Sequence, residues 1–595
     1  MTELKKEKKR ILNNIFKKKK AKKMKNNSTY KFFLSCALAA ASLTMATAQN
    51  DSAIIKKDIT IEKEYTPSIK DAGKINDLPS IKEPVLKPTE VKYSDYSVAL
   101  DPEYKVRQLD AARLKISENN QDKKGFLRLG FGNYLGTLGD LVLPIIQKPK
   151  YGLDLNVNHK GIFDGHDGNQ HHKSDASINF DRFFKEGKLF VNGGYSYRGF
   201  NYYGENKLFK NTLYSIENGT MKGKDFFYGN MGIHTWSAAA GYKSYPDNDL
   251  VNSLSASIAY DGFMPNEGLT QHRINTNIAY KRSVTSDNWG VGFNMQNYIF
   301  GDKNLDQTYS KEEGFTLVNF NPYYQFMRDR WDLRLGVNLN ISTSGRAFAP
   351  TPDVKGTVTI VRNTLFFYAG LEGDYNTNSM SDMVDMCHYI NLNEKVKSTW
   401  TPLDLKAGFK IKILYNLLTD LSIEYRMIKD QYFLVSDSAN NAALGKVATN
   451  VFTPIYTDAN VFTANFRTTY DYNNILNFLL SAKYHKWYAD LEKDDMKAYN
   501  MPNFEFNFAT MLKMGKHMAA DLGLYIATGR EALRVDGTTR KLSPIYDLNL
   551  GFYYNYNSKL SLFLKLNNIL HRHYEQWYCY EVNGINGLVG LTYSF

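Results

Sequence analysis

Hydrophobic and polar positions alternate with a period of two over most of residues 125–595. Trp331, Leu333, Leu335, Val337, Leu339 and Ile341 are interleaved with Asp332, Arg334, Gly336, Asn338 and Asn340. Leu254, Ala256, Ile258 and Tyr260 alternate with small polar residues, and Leu560, Leu562, Leu564 and Leu566 with Lys559, Ser561 and Lys565. Tyr546, Leu548, Leu550, Phe552 and Tyr554 do the same. Successive side chains of a strand point to opposite faces, so each segment predicts a strand with one apolar and one polar face. No linker composition divides this region, which argues against a row of soluble sandwich domains. No fixed period or blade motif marks a propeller. The remaining architecture is all-β: a single transmembrane antiparallel barrel with lipid outside and a polar lumen inside. Candidate strands number about 20, and an even count in the range of about 16–22 is expected. Long connections are expected at 201–230, 379–402 and 436–460, with a short turn at 555–559, so one side of the barrel should carry the long loops. Tyr202, Tyr203, Phe226–Tyr228, Tyr323, Tyr324, Phe366–Tyr368, Tyr553 and Tyr554 are expected near strand ends, where aromatic girdles meet the membrane interface.

The final segment carries the same alternation to its last residue, with Val589, Leu591, Tyr593 and Phe595 on one face. An apolar strand edge left raw invites aggregation, and a closed barrel removes it by pairing last strand with first. This ending resembles the assembly signal of Gram-negative outer-membrane barrels, which implies partnership with the barrel-insertion machinery and with outer-membrane lipid.

Residues 1–48 read as a leader. Lys25 and Lys31 precede an apolar run from Phe32 to Met45, and Ala46-Thr47-Ala48 is a small-residue cleavage site. Met24 is the more natural start, and cleavage is expected after Ala48. Cys36 lies inside the apolar run and Phe33 stands where a lipobox wants Leu, which argues against lipidation. The leader changes the meaning of the charge. Of a net +13 for the whole chain, +11 belongs to residues 1–48, so the basic pI gives no support for nucleic-acid binding. Past the leader only Cys387 and Cys579 remain, too few for a disulfide scaffold; a single bridge and two free thiols both stay open.

Residues 49–124 form a proline-spaced, Lys/Glu-rich stretch, read as an extended periplasmic segment with one short helix over 104–116. A linker without further role is the alternative.

No nucleophile elbow, P-loop, zinc-type cysteine pairing or metalloprotease motif is present, so the chain is read as a non-enzyme without a cofactor. One loop concentrates metal-type donors: Asp164, His166, Asp167, His171 and His172. His166, His171 and His172 are candidates for divalent-metal ligands, although a polar Gly-rich hairpin loop looks much the same. His571 and His573 are weaker candidates.

The segment Leu566-Asn567-Asn568-Ile569-Leu570, followed by Tyr574, Trp577, Tyr578, Gly584 and the Phe595-terminated strand, resembles the end of a TonB-dependent receptor barrel. The resemblance implies an outer-membrane transporter or channel for a polar solute. It also implies a plug domain larger than residues 49–124 can build, and there the chain departs from the family. Asp58, Ile59, Thr60, Ile61 and Glu62 resemble a TonB box, the extended segment that pairs with a TonB-like partner by strand addition. In the transport reading, residues such as Arg334, Asn338, Asn340, Asn275, Asn277 and Lys565 line the lumen, gated by 49–124. The other reading is a barrel that anchors a periplasmic or cell-surface complex, with 49–124 as a docking arm for a scaffold.

Overall fold

The computed structural model describes residues 125–595 apart from 205–229, 245–251, 285–286, 303–313, 395, 437–450, 490–495 and 535–536. The leader, the 49–124 segment with its short helix, and Asp58–Glu62 lie outside the described residues.

A 22-stranded antiparallel sheet is wound in chain order, each strand beside its sequence neighbour. It closes on itself: Phe126–Gly132 pairs with Gly136–Lys148 on one side and with Asn586–Ser594 on the other. Closure is completed by two backbone bonds, the Gly125 N–H to the Phe595 carbonyl (2.8 Å) and the Phe595 N–H to the Gly125 carbonyl (3.0 Å). No strand edge is left unpaired in this wall, the condition for backbone to sit in hydrocarbon.

The alternation read from the sequence maps onto the two faces. Leu254, Ile258, Trp331, Leu335, Ile341, Leu562, Leu564, Val589, Leu591 and Tyr593 all face outward as exposed apolar side chains. Their partners in the pattern face the lumen. Short turns crowd one end of the barrel, at 148–151, 361–365, 414–417, 472–476, 514–518 and 555–560. The 472–476 turn shows why they are short. Asn473 and Asn474 both take positive φ (48° and 56°), the two left-handed positions of a type I′ hairpin turn, and the Ile475 N–H closes it on the Tyr472 carbonyl at 2.8 Å. Exposed aromatics ring this end: Tyr151, Phe184, Trp331, Tyr415, Tyr472 and Tyr554. Such rings suit the interface between lipid and water.

The opposite end carries the long connections, at 162–171, 201–230, 376–399, 436–452, 528–545 and 567–586. Three expectations change. The strand expected to begin near 460 begins at Phe452, extending past the wall on the loop side. Tyr202, expected at an interfacial girdle, is buried among loop residues instead. Tyr323 also turns inward, under the guanidinium of Arg334 at 3.6 Å.

Candidate functional site

Over the strands between residues 269 and 361 the lumen face carries a polar lattice. Asn275 accepts from Asn294 (2.8 Å), Gln296 donates to Asn294 (3.0 Å), and the Tyr298 hydroxyl donates to Gln296 (2.9 Å) and pairs with Thr377 (2.8 Å). Further round the wall, Asn319 donates to Asn340 (2.7 Å) and Asn321 to Asn338 (2.7 Å) and Asp353 (3.2 Å). Arg334 holds Asp353 through Nε at 2.9 Å and Nη2 at 2.7 Å, and donates to Asn321 at 3.0 Å. Of the lumen residues expected from sequence, Arg334, Asn338, Asn340 and Asn275 belong to this lattice. The register sets Asn277 opposite Asn294, and the Lys565 ammonium sits on the same face as the Phe563 ring, 5.9 Å away. Arg334→Ala removes the cation beside a mostly buried carboxylate. The expected loss is roughly 2 kcal/mol, discounted because Arg334 is part-exposed. A lowered urea midpoint for the heat-modifiable, SDS-resistant form checks this.

Over the loop end, connections from distant parts of the ring share one apolar core. The 376–399 connection supplies a short helix, Met380–Met386. Ser379 caps it, accepting from the Asp382 N–H at 3.3 Å, and Met380, Met383 and Val384 are its buried face. Val384 and Cys387 join Ile390 and Leu392, and these pack with Phe200, Ile233 and Phe263 at the loop ends of three strands. The same core takes Phe452 from the 436–452 side, Ala532 and Leu542 from 528–545, and Tyr578, Cys579 and Tyr580 from 567–586. At its centre Tyr389 and Tyr580 stack with ring centroids 3.7 Å apart, flanked by Tyr203 at 5.0 Å from Tyr580 and Phe452 at 5.9 Å. The loops contributing Tyr203 and Phe452 leave the ring after its fifth and fifteenth strands, so the core reaches across the mouth. It acts as a cap.

Polar contacts clasp the cap. Arg530, buried, donates to three backbone carbonyls: Gln576 (2.8 Å), Ser543 (3.2 Å) and Glu575 (2.7 Å). Arg198 on the wall forms an ion pair with Asp385 of the helix at 2.5 Å. Both cysteines are buried in the core as free thiols. Burial pushes the Cys387 thiol well above its usual range.

His388 beside this core is pushed down to about 4, first by burial and then by the Arg198 guanidinium, with His171 adding to it and Asp385 opposing. The sign follows from linkage. Freed from the cap, His388 takes up a proton below its ordinary 6.5; in place it does so only near 4. Its contribution to cap stability is therefore full above pH 6.5 and lost as pH falls toward 4, by no more than about 3–4 kcal/mol. Amide exchange of residues 380–390, corrected for intrinsic rates, is expected to quicken on acidification in the native chain and far less in His388→Gln.

The three candidate histidines do not come together. His171 sits on the His171–Phe183 strand with Nδ1 3.2 Å from the Asn169 side-chain oxygen. His172 packs its ring on Phe163 at 5.0 Å. His166 instead meets His573 and Glu581 from the 567–586 loop, with one donor atom of each within 4.8 Å of the others. The sequence gives no sign of that meeting, because His166 lies about four hundred residues from His573 and Glu581. The cap was equally hidden, although Ser379 and Asp382 around Met380, Met383 and Val384 form a readable helix start.

No protein-family model matches the chain, and comparison with curated proteins finds no match. Solved structures do resemble it. A mutant of the ferric enterobactin receptor PfeA from Pseudomonas aeruginosa matches at TM-score 0.58 and 12% identity, over 79% of this chain and 80% of that one. The siderophore receptor PirA from Acinetobacter baumannii matches at TM-score 0.59 and 11% identity, over 79% and 80%. The ferric-catecholate import receptor Fiu from E. coli K12 matches at TM-score 0.56 and 10% identity, over 80% and 82%. The likeness is one of fold rather than of sequence, and this chain has the fold of the TonB-dependent receptor barrel of the outer membrane.

Proposed function

We propose that the chain is an outer-membrane transporter for a polar solute, kept shut on its outer side by the loop cap. The observation that carries this reading is the pairing of a wide lumen with a mouth bridged by an ordered apolar core. A barrel of 22 strands is wide enough for an aqueous passage unless something fills or covers it. The lattice of Asn, Gln, Arg and Asp side chains offers hydrogen bonds to a hydrated solute and little to an apolar one. The likeness to siderophore-import receptors supports import as the direction. In this reading Asp58–Glu62 supply the strand that a TonB-like partner pulls, and 49–124 act as the gate. The anchoring alternative gains no observation of its own.

Liposome swelling tests the reading. Vesicles carrying the native chain should resist small neutral sugars. Vesicles carrying a chain with 377–397 replaced by a short Gly/Ser turn and 49–124 removed should swell in them, with rates that fall as solute size grows. Swelling that ignores solute size, or is absent with both obstacles gone, would contradict transport through the lumen.

A further inference from the structure

We infer that His166, His573 and Glu581 form a binding site for a divalent transition-metal ion of the Zn²⁺ class, placed so that the ion staples the barrel across its closing seam.

The placement follows from the short connection at 132–136. Being only a turn, it leaves the neighbouring 162–171 and 567–586 connections free to meet above it. They are tied there by named bonds. The Phe163 and Asp164 N–H groups both donate to the Tyr134 carbonyl, at 3.2 and 3.1 Å. Asn133 donates to the Ile585 carbonyl at 2.8 Å, and the His166 N–H donates to the Asn583 side chain at 2.7 Å. Asn583 is itself fixed, its carbonyl accepting from Asn568 at 2.8 Å. The Tyr203 hydroxyl donates to the Glu581 carbonyl at 2.7 Å. Backbone on both sides of the site is therefore positioned before any ion arrives, which lowers the ordering cost of binding.

The donor set suits the ion. Two imidazoles and a carboxylate are borderline donors that favour Zn²⁺, Cu²⁺ or Ni²⁺ over Ca²⁺ and Mg²⁺, which prefer oxygen alone. The His166 and His573 rings stand 4.6 Å apart, and the three donor atoms lie within 4.8 Å. Zn–N bonds of about 2.0–2.1 Å require the side chains, of which the two imidazoles are exposed, to rotate inward. Gly584 keeps the pocket open: a Cβ there would fall 2.6 Å from His571 Cε1 and 3.3 Å from His573 Cε1. Three protein ligands leave a fourth coordination position open. The ion would join a loop beside the barrel's first strands to the loop just before its last strand, so its occupancy opposes separation of the seam.

Zn²⁺ titration of the purified full-length chain in detergent, read by calorimetry and by metal content after gel filtration, tests this. One Zn²⁺ per chain is expected. His166→Ala with His573→Ala, and Glu581→Gln alone, should weaken binding by about tenfold or more, while His171→Ala with His172→Ala leaves it intact. Zn²⁺ should also raise the temperature at which the folded, heat-modifiable form is lost in the native chain and not in Glu581→Gln. No binding, or binding that survives loss of His166 and His573 in a variant shown to be folded by the same gel shift, would overturn the assignment.

Discussion

Removing residues 586–595 is expected to abolish the folded barrel outright, with the chain recovered only as the fully denaturable, protease-sensitive form in outer-membrane fractions. This strand is hydrogen-bonded along both of its edges. It pairs with Leu560–Asn567 on one side and with Phe126–Gly132 on the other. Without it, two strands present open backbone to lipid, at several kcal/mol for each unsatisfied group. A point change in the same place should act in the same direction. Gly130 faces Gly590 across the seam, and the Phe563 ring lies over both. A Cβ on Gly590 would fall 2.1 Å from the Leu129 carbonyl oxygen and 2.4 Å from the Phe563 ring. Backbone hydrogen-bonded on both sides cannot yield that space, so Gly590→Val should sharply lower the yield of heat-modifiable protein. Leu591→Val, on the lipid face, serves as the control and should fold. Normal yield of folded Gly590→Val would contradict the seam as described.

The cap should open by about two to four powers of ten more often when its centre is emptied. Tyr580 is fully buried, stacked on Tyr389, and shared by three connections. Truncating a buried aromatic costs about 3–5 kcal/mol, which corresponds to that increase in the open population if the wall itself stays folded. Arg530→Ala should act in the same direction, leaving three backbone carbonyls, the buried Glu575 one among them, without their donor. The two native thiols report the change. Cys387 and Cys579 are buried in the cap, so an impermeant maleimide applied from outside should label the native chain very slowly. Tyr580→Ala and Arg530→Ala should label far faster while remaining heat-modifiable. Fast labelling of the native chain would mean that the cap does not hold.

The wall was legible in the sequence because lipid imposes a strict rule on every strand. Trp331 to Ile341 could alternate only one way, and Leu335 and Ile341 face outward accordingly. The tight turn at Asn473 and Asn474 announced itself by residue type. The cap was not legible, for a physical reason. Its apolar residues answer to one another across the mouth and not to a lipid plane, so no period survives along the chain. Phe452, Thr453 and Pro454 open their strand buried in succession, covered by protein on both faces, so the alternation that marks a wall strand is absent there. Tyr202 and Tyr203 look like girdle residues by composition, yet their neighbours are Tyr389 and Tyr580. For the histidines, proximity in sequence misled. Neighbouring residues of a strand diverge, as His171 and His172 do, whereas His166 finds its partners through the closure of the ring.

The most direct test is single-channel conductance in planar bilayers, comparing four forms: the mature chain, the chain lacking 49–124, the chain with 377–397 replaced by a short turn, and the chain with both changes. Steady, large steps are expected from the doubly changed chain, and silence from every form that keeps the cap. Large steps with the cap intact, or silence from the doubly changed but folded barrel, would contradict a polar conduit closed by its outer loops.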